Sequence, residues 1–192
     1  MKTTRKMVVF GVLMASLGAA AQTSTPAAKP KDEHRTVTQI LDRSIGNMER
    51  EFTGAAEAMP EDKFGFAPTN GEFKGVRTFG QQIKHVAAVN YELAGAILEQ
   101  KPPADIGDES GPAAVTSKAD VLKYLKESFA YVHKAIATID EKNLAETVKS
   151  PFGEGSISRL SLAMAVSSHG FDHYGQMVEY LRMNGIIPPA SR

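Results

Sequence analysis

Hydrophobic residues recur at three- and four-residue steps in four long segments of the chain. This spacing places apolar side chains along one face of an α-helix, and each segment therefore predicts an amphipathic helix. Helix-capping and helix-breaking residues mark the expected limits. They are Pro60 after the first segment, Thr78 and Gln81 at the start of the second, Ser117 and Asp120 at the start of the third, and Ser156 or Ser158 before and Gly185 after the fourth.

The four segments predict an all-α fold, because none of them alternates polar and apolar residues as a strand would. Helices with one apolar face bury it by packing together, which favours a four-helix bundle. A chain of 192 residues with 42% hydrophobic content fills one sizeable core. We expect a single bundle domain over residues 34–192.

The connections between the predicted helices are polar and rich in glycine and proline. In the first of them, 61–77, the aromatic residues Phe64, Phe66 and Phe73 are expected to fold over one end of the bundle, where they would form a pocket wall. The second connection, 101–116, is long enough to cross a bundle end. The third, 140–155, is expected to be irregular.

The N-terminus has the pattern of a secretory signal peptide. Basic residues are followed by a short apolar run and then by an Ala-x-Ala cleavage pattern before Gln22. Residues 1–21 are therefore expected to be removed on export, giving a periplasmic or extracellular protein, and an uncleaved membrane anchor is the alternative. Residues 22–33 carry no apolar period and predict a flexible tether. We expect no membrane span in the mature chain.

Charge and cysteine content narrow the possible partners and metal ligands. The full chain has a formal charge of zero, and the mature chain has −3, so no basic field indicates nucleic-acid binding. The chain contains no cysteine, which excludes disulfides, thiolate ligands and a lipid-modified cysteine. Any bound metal must use histidine, aspartate or glutamate.

The best chemical signal is a pair of histidines, His169 and His173, in the fourth helix. Side chains four residues apart on a helix share one face, with Cβ atoms roughly 5–6 Å apart, so both imidazoles can reach one ion. A half-buried polar pair is the alternative. His85, on the flank of the second helix, completes the most economical three-nitrogen set, with a half-exposed surface histidine as the alternative. Such a set leaves coordination positions open. His133 is expected to be a rim histidine, with a fourth-ligand role as the alternative, and His34 a surface residue.

Polar neighbours of the histidine pair suggest supporting roles. A metalloprotease helix reads His-Glu-x-x-His, but Gly170 stands where the general base would be, so that mechanism is not expected. Gln176, one turn after His173, is well placed to hydrogen-bond around the site, and Asp172 can accept an imidazole N–H. Glu92 lies two turns from His85, too far to share an ion except through water.

The sequence HGFDHYGQ at 169–176, continued by YLRMNGIIPP at 180–189, resembles the final helix of the DinB-like superfamily. The likeness extends upstream to His85 and covers most of 34–189. It implies a bundle running up, down, down, up, with a metal held by His85, His169 and His173. Many members have an arginine between the second histidine and the glycine, where this chain has Tyr174, which puts any role of that arginine in doubt.

The resemblance leaves several functions open. Nitrogen ligands suit Zn, Ni or Fe(II), and the residues do not choose among these metals. We expect a metal-dependent enzyme that is hydrolase-like on a small substrate. One alternative is an exported module that binds a metal or small ligand, or forms a homodimer, without catalysis. The other is a thiol-dependent transferase, as some relatives are, although the small thiols that those relatives use are chiefly cytoplasmic.

Overall fold

A computed structural model describes residues 34–192 of the chain. The predicted signal peptide, 1–21, and the predicted tether, 22–33, lie outside the described residues. The four predicted helices are confirmed as α1 (Val37–Ala58), α2 (Phe79–Leu98), α3 (Lys118–Ile136) and α4 (Arg159–Met183). None of these helices is long and apolar enough to cross a membrane.

Side-chain caps begin the helices close to where the sequence predicts. Thr78 and Gln81 form the predicted capping box, in which each side chain accepts a hydrogen bond from the other residue's backbone N–H. Ser117 caps α3. At α4 the cap is Ser158 rather than Ser156. Each cap satisfies a backbone donor that the first helical turn leaves unpaired.

The order of contacts along each helix pair gives the helix directions. Along the contacts between α1 and α3, and between α2 and α4, residue numbers increase in opposite directions, so each of these pairs is antiparallel. Between α1 and α4 they increase in the same direction, so this pair is parallel. The defining contacts are Thr38–Ile139 and Lys118–Met59 for the first pair, Gln82–Gln176 and Glu99–Arg159 for the second, and Ser44–Ser167 and Gly54–Pro189 for the third. The helices therefore run up, down, down, up, as the family resemblance implies.

A two-stranded antiparallel hairpin lies between α3 and α4, in a segment that the sequence predicts to be largely irregular. It pairs β1 (Thr147–Lys149) with β2 (Ser156–Ser158), and Val148 lies opposite Ile157. Each strand has three residues, too few for a strand period to show in the sequence. The expectation of an irregular 140–155 segment is corrected to this extent.

The aromatic residues of the first connection pack against the ends of two helices. The Phe64 ring meets Phe79 edge-on at 5.6 Å between centroids, and Phe66 meets Tyr180 in the same manner at 5.6 Å. Phe73 is exposed. Two of the three rings therefore close the bundle end where α2 begins and α4 ends, rather than forming a pocket wall together.

A close approach between α1 and α4 occurs at Gly170, the residue after His169. Gly170 is buried, and a Cβ added there would collide with the sulfur of Met48, which is itself fully buried. The packing of α1 therefore explains why this position is small. It also excludes a glutamate general base at this position, since a carboxylate side chain would have to displace the core.

Replacing Gly170 with alanine is expected to destabilise the protein by about 1–2 kcal/mol, because overpacking against Met48 outweighs the gain in helix propensity. Gly175→Ala, five residues later in α4, is the matched control, because a Cβ there meets no atom within 4 Å. The control is expected to stabilise by about 0.5–1 kcal/mol. Urea denaturation of both variants measures the difference, and equal stabilities would contradict the close-packing argument.

Candidate metal centre

The antiparallel packing of α2 and α4 brings three histidines together. His169 and His173 share one face of α4, and His85 reaches the same space from α2. One ring nitrogen from each lies within 4.8 Å of the others, so the three residues form a group that can hold a metal ion. The structure thus assembles the three histidines that the sequence selects.

The separation of two ring nitrogens fits coordination of a common ion. The Nε2 atoms of His85 and His169 are 3.1 Å apart. Tetrahedral nitrogen ligands at about 2.0–2.1 Å from zinc lie roughly 3.3 Å from each other. The three ring centroids are 4.5–5.0 Å apart, and the rings are inclined to one another by 63–69°. They converge edge-on rather than stacking face to face.

The environment of the three imidazoles favours their neutral form. Burial, followed by the charges of the other histidines, lowers the pKa of His169 and of His173 to about 4. Burial also lowers the pKa of His85, followed by the nearby Arg77 guanidinium, while the backbone carbonyl and carboxylate of Glu109 act in the opposite direction. Neutral imidazole is the form that binds metal, so the three side chains could act as ligands near neutral pH without first losing a proton.

Two glutamines support His173. Its Nδ1 lies 2.5 Å from Oε1 of Gln82 in α2, and Nε2 of Gln82 donates to Oε1 of Gln176 at 2.9 Å. The predicted hydrogen-bonding role of Gln176 is therefore an indirect one, through Gln82. No feature of the sequence pattern marks Gln82, although its position three residues before His85 places it on the neighbouring helix surface. An amide in that position is too common on helices to stand out.

Two acidic residues, Asp172 and Glu92, lie near the histidine group without contacting its imidazoles through a hydrogen bond. Asp172 accepts from Nε2 of Gln176 at 3.2 Å instead of from an imidazole. Glu92 lies beside His85 in a cavity, and burial, followed by the charge of Glu109, raises the pKa of its carboxyl. Among residues 34–192, no carboxylate accepts a hydrogen bond from the three imidazoles.

Two adjoining cavities lead away from His85. The first, of about 250 Å³, is lined by His85 together with Glu92, Ile106 and the turn at 107–109. The second, of about 680 Å³, shares Glu92 and Ile106 with the first and extends to β1 at Lys149. Of the three histidines, His85 borders the smaller cavity, and the two cavities are each large enough for a small molecule.

An ion pair holds the 101–116 connection against the start of α2. Arg77 donates from Nε to the Glu109 carbonyl at 2.9 Å and from a terminal nitrogen to the Glu109 carboxylate at 2.8 Å. The contact fixes the wall of the smaller cavity. It also keeps a guanidinium near the histidines, where its charge lowers the pKa of all three.

The remaining histidines lie elsewhere. His133 of α3 bridges to α1, with Nδ1 2.6 Å from Asp42 and Nε2 3.0 Å from Glu49. Both of its nitrogens are engaged there, so the structure does not bring it to the group as a fourth ligand. His34 is exposed, in accord with a surface role.

The fold and the histidine group together indicate the class of this protein. It is a four-helix bundle with a candidate metal site formed by two histidines of the last helix and one of the second. The family model described as the DinB superfamily matches residues 45–177. The chain belongs to the DinB superfamily. A search of curated proteins gives no match.

Solved structures support the same fold. A DinB-like protein from Bacillus cereus ATCC 10987 has a TM-score of 0.65 at 14% identity, covering 82% of this chain and 98% of its own. A conserved protein from Enterococcus faecalis has a TM-score of 0.62 at 16% identity, covering 78% and 98%. A DinB-like protein from Bacillus subtilis has a TM-score of 0.59 at 14% identity, covering 76% and 92%. At these identities the likeness concerns the fold alone.

The bridge that His133 of α3 forms with Asp42 and Glu49 of α1 predicts a loss of folding stability at alkaline pH. Hydrogen bonds to Glu49, and then to Asp42, raise the pKa of His133 to about 9. Because the pKa of His133 is higher in the folded state, protonated His133 contributes its full stabilisation below the unfolded pKa of about 6.5. This stabilisation is lost as the pH rises through about 9. Because the groups are partly exposed, we expect a loss of about 1 kcal/mol between these limits.

Urea denaturation at intervals from pH 6 to 10 measures this loss. In a His133→Gln variant, the pH dependence between 6.5 and 9 should largely disappear. His34→Ala is the control, since His34 is exposed and should leave the profile unchanged. A wild-type profile that is flat across this window would exclude the charged bridge.

Proposed function

We propose that this protein is an exported, divalent-metal-dependent enzyme, hydrolase-like on a small substrate, with His85, His169 and His173 as the metal ligands. One observation carries the proposal. Three imidazoles whose pKa values burial lowers converge within the bundle, and one of them, His85, lines a cavity. A purely structural metal site usually closes all four positions with protein ligands, whereas a three-ligand site leaves space for another molecule.

The ligand chemistry limits the metal to ions that accept nitrogen, and Zn, Ni and Fe(II) all satisfy it. When bound, such an ion supplies Lewis acidity and lowers the pKa of a coordinated water. The chain's own residues perform the remaining tasks. Gln82 orients His173, and Arg77 fixes the cavity wall and keeps a positive charge near the reacting end.

The size of the two adjoining cavities supports the proposal that the substrate is a small molecule. Glu92 and Ile106 line both cavities, so a molecule in the smaller one beside His85 would lie next to the larger one, whose wall has both apolar and polar residues. Glu92, which lines both cavities, is the one carboxylate of α2, and its raised pKa suits a group that exchanges protons. A thiol-dependent transferase would use the same space, but the proposed export makes it the less favoured reaction.

A non-catalytic binding module is the second candidate, and two observations favour it. Among residues 34–192, no carboxylate is hydrogen-bonded to the histidine group as a dedicated general base would be. Met164 and Phe171 are also exposed on α4, seven residues apart and so on one side of the helix. Such a face suits a homodimer, in which the metal would stabilise the contact between α2 and α4.

Metal content tests the site directly. Purified wild type is expected to bind about one Zn, Ni or Fe per chain, and the His169→Ala, His173→Ala double variant less than a tenth of that. Metal should raise the melting temperature of the wild type, because it binds the folded state. Plasma emission spectrometry and calorimetry measure both effects.

His34→Ala serves as the control for this experiment, because it removes an imidazole outside the group and should keep full metal content. Equal metal content in the wild type and the double variant would remove the site. A wild type that rebinds no metal after chelation would remove it as well.

Turnover separates the enzyme from the binding module. Metal-loaded wild type is expected to hydrolyse at least one member of a panel of small carboxyl esters, amides and phosphoesters. The rate should fall at least 100-fold in His173→Ala and stay within about twofold in His133→Gln, whose change lies outside the site. Measurement of product release against metal-free protein gives the rates.

An absence of turnover, together with a large metal-dependent rise in stability, would favour the binding module. In that case sedimentation of the wild type with and without metal would show whether a dimer forms. A Met164→Lys, Phe171→Lys variant that stays monomeric would locate its interface.

A further inference from the structure

A chain of three hydrogen bonds links an exposed carboxylate to a buried histidine of the candidate metal centre. Asp172 accepts from Nε2 of Gln176 at 3.2 Å, Oε1 of Gln176 accepts from Nε2 of Gln82 at 2.9 Å, and Oε1 of Gln82 faces Nδ1 of His173 at 2.5 Å. The chain crosses from α4 to α2 and back. Asp172 and His173 are adjacent in sequence but have no direct hydrogen bond.

The Asp172 carboxylate determines which group donates in each of these three hydrogen bonds, and so gives them a direction. An ionised carboxylate only accepts hydrogen bonds, so Gln176 must turn its NH₂ group towards Asp172 and its carbonyl oxygen towards Gln82. Gln82 must then donate to Gln176, which turns its own carbonyl oxygen towards His173. An acceptor opposite Nδ1 requires the proton of the neutral imidazole to be on Nδ1. The lone pair of His173 is then on Nε2.

Burial makes this direction effective. Gln82 is 1% exposed and His173 is 6% exposed, so neither can readily replace the other by water. A reversed Gln82 amide would place its NH₂ group against Nδ1–H, leaving two donors face to face in a dry space. Buried donors without an acceptor are unfavourable, because they have lost their hydrogen bonds to water and gained none in return. The orientation of the Gln82 amide, and with it the tautomer of His173, therefore follows the orientation that Gln176 adopts.

We propose that Asp172 is a positioning residue that selects the Nδ1–H tautomer of His173 through Gln176 and Gln82, and so keeps Nε2 free to bind a metal. The proposal rests on the proposed metal centre for its purpose but not for its geometry. The partners that orient metal-binding histidines typically change metal affinity by about 10–100-fold when they are altered. Here the controlling group lies at the surface, two side chains away from the histidine.

Reversing the outer end of the chain tests the proposal. In Asp172→Lys a donor replaces the acceptor, so Gln176 turns its carbonyl oxygen outward, Gln82 follows, and Nδ1 of His173 receives a donor. The neutral imidazole then carries its proton on Nε2. Long-range ¹H–¹⁵N spectra of the metal-free protein near neutral pH distinguish the two tautomers. We expect Nδ1–H in wild type and in Asp172→Glu, and a predominantly Nε2–H form in Asp172→Lys.

Metal affinity is the second measurement. Zinc binding to Asp172→Lys should be weakened at least tenfold, whereas Asp172→Glu should stay within about threefold of wild type. Glu179→Lys is the matched control, because it makes the same charge change at an exposed position two turns later on α4. Titrations in 1 M salt, where the screening length is about 3 Å, suppress the general effect of charge. Under these conditions Glu179→Lys should match wild type.

Three results would overturn the proposal. They are an Nε2–H tautomer of His173 in metal-free wild type, an unchanged tautomer in a folded Asp172→Lys variant, and equal zinc affinity of Asp172→Lys and Glu179→Lys in high salt. Because the tautomer is read without metal, the control of the tautomer is tested even if the protein proves to bind no metal. Circular dichroism confirms the fold of each variant, and Gln176→Leu provides a second interruption of the chain, which should remove the tautomer preference.

Discussion

The antiparallel contact of α2 with α4 is the interaction on which the site depends. Neither helix carries three ligands alone, and the α4 pair gains its third partner only because His85 reaches the same buried space. This contact desolvates three basic groups at once, which is unfavourable for their charged forms. The fold therefore maintains a cluster of neutral nitrogen donors. Three converging neutral nitrogen donors can hold a metal ion, which is the property on which the proposed function relies.

The two histidine environments of the bundle show how neighbours determine the chemistry of one side chain. His133 lies between two carboxylates that raise its pKa, so it acts as a cation joining α1 and α3. His169 and His173 lie among other imidazoles and apolar atoms that lower their pKa. The first environment suits an ion pair that stabilises the bundle, and the second suits a ligand set. Both environments occur in one bundle.

Features that depend on local spacing are predictable from the sequence. The i, i+4 pair of α4, the caps at Thr78 and Ser117, and the helix directions implied by the family resemblance agree with the structure. Features that arise between distant segments are harder to predict. Gln82 becomes significant only when α4 places His173 against it, and the short β1–β2 hairpin has too few residues to show a period.

Position 174 illustrates why family membership alone does not define the reaction. The arginine that many DinB-like proteins carry there is Tyr174 in this chain, yet the site retains a nearby cation, because Arg77 is held beside it by Glu109. The positive charge near the histidines therefore comes from Arg77, which lies just before the start of α2. Since Arg77 also fixes the 101–116 connection, its charge and the shape of the smaller cavity are coupled.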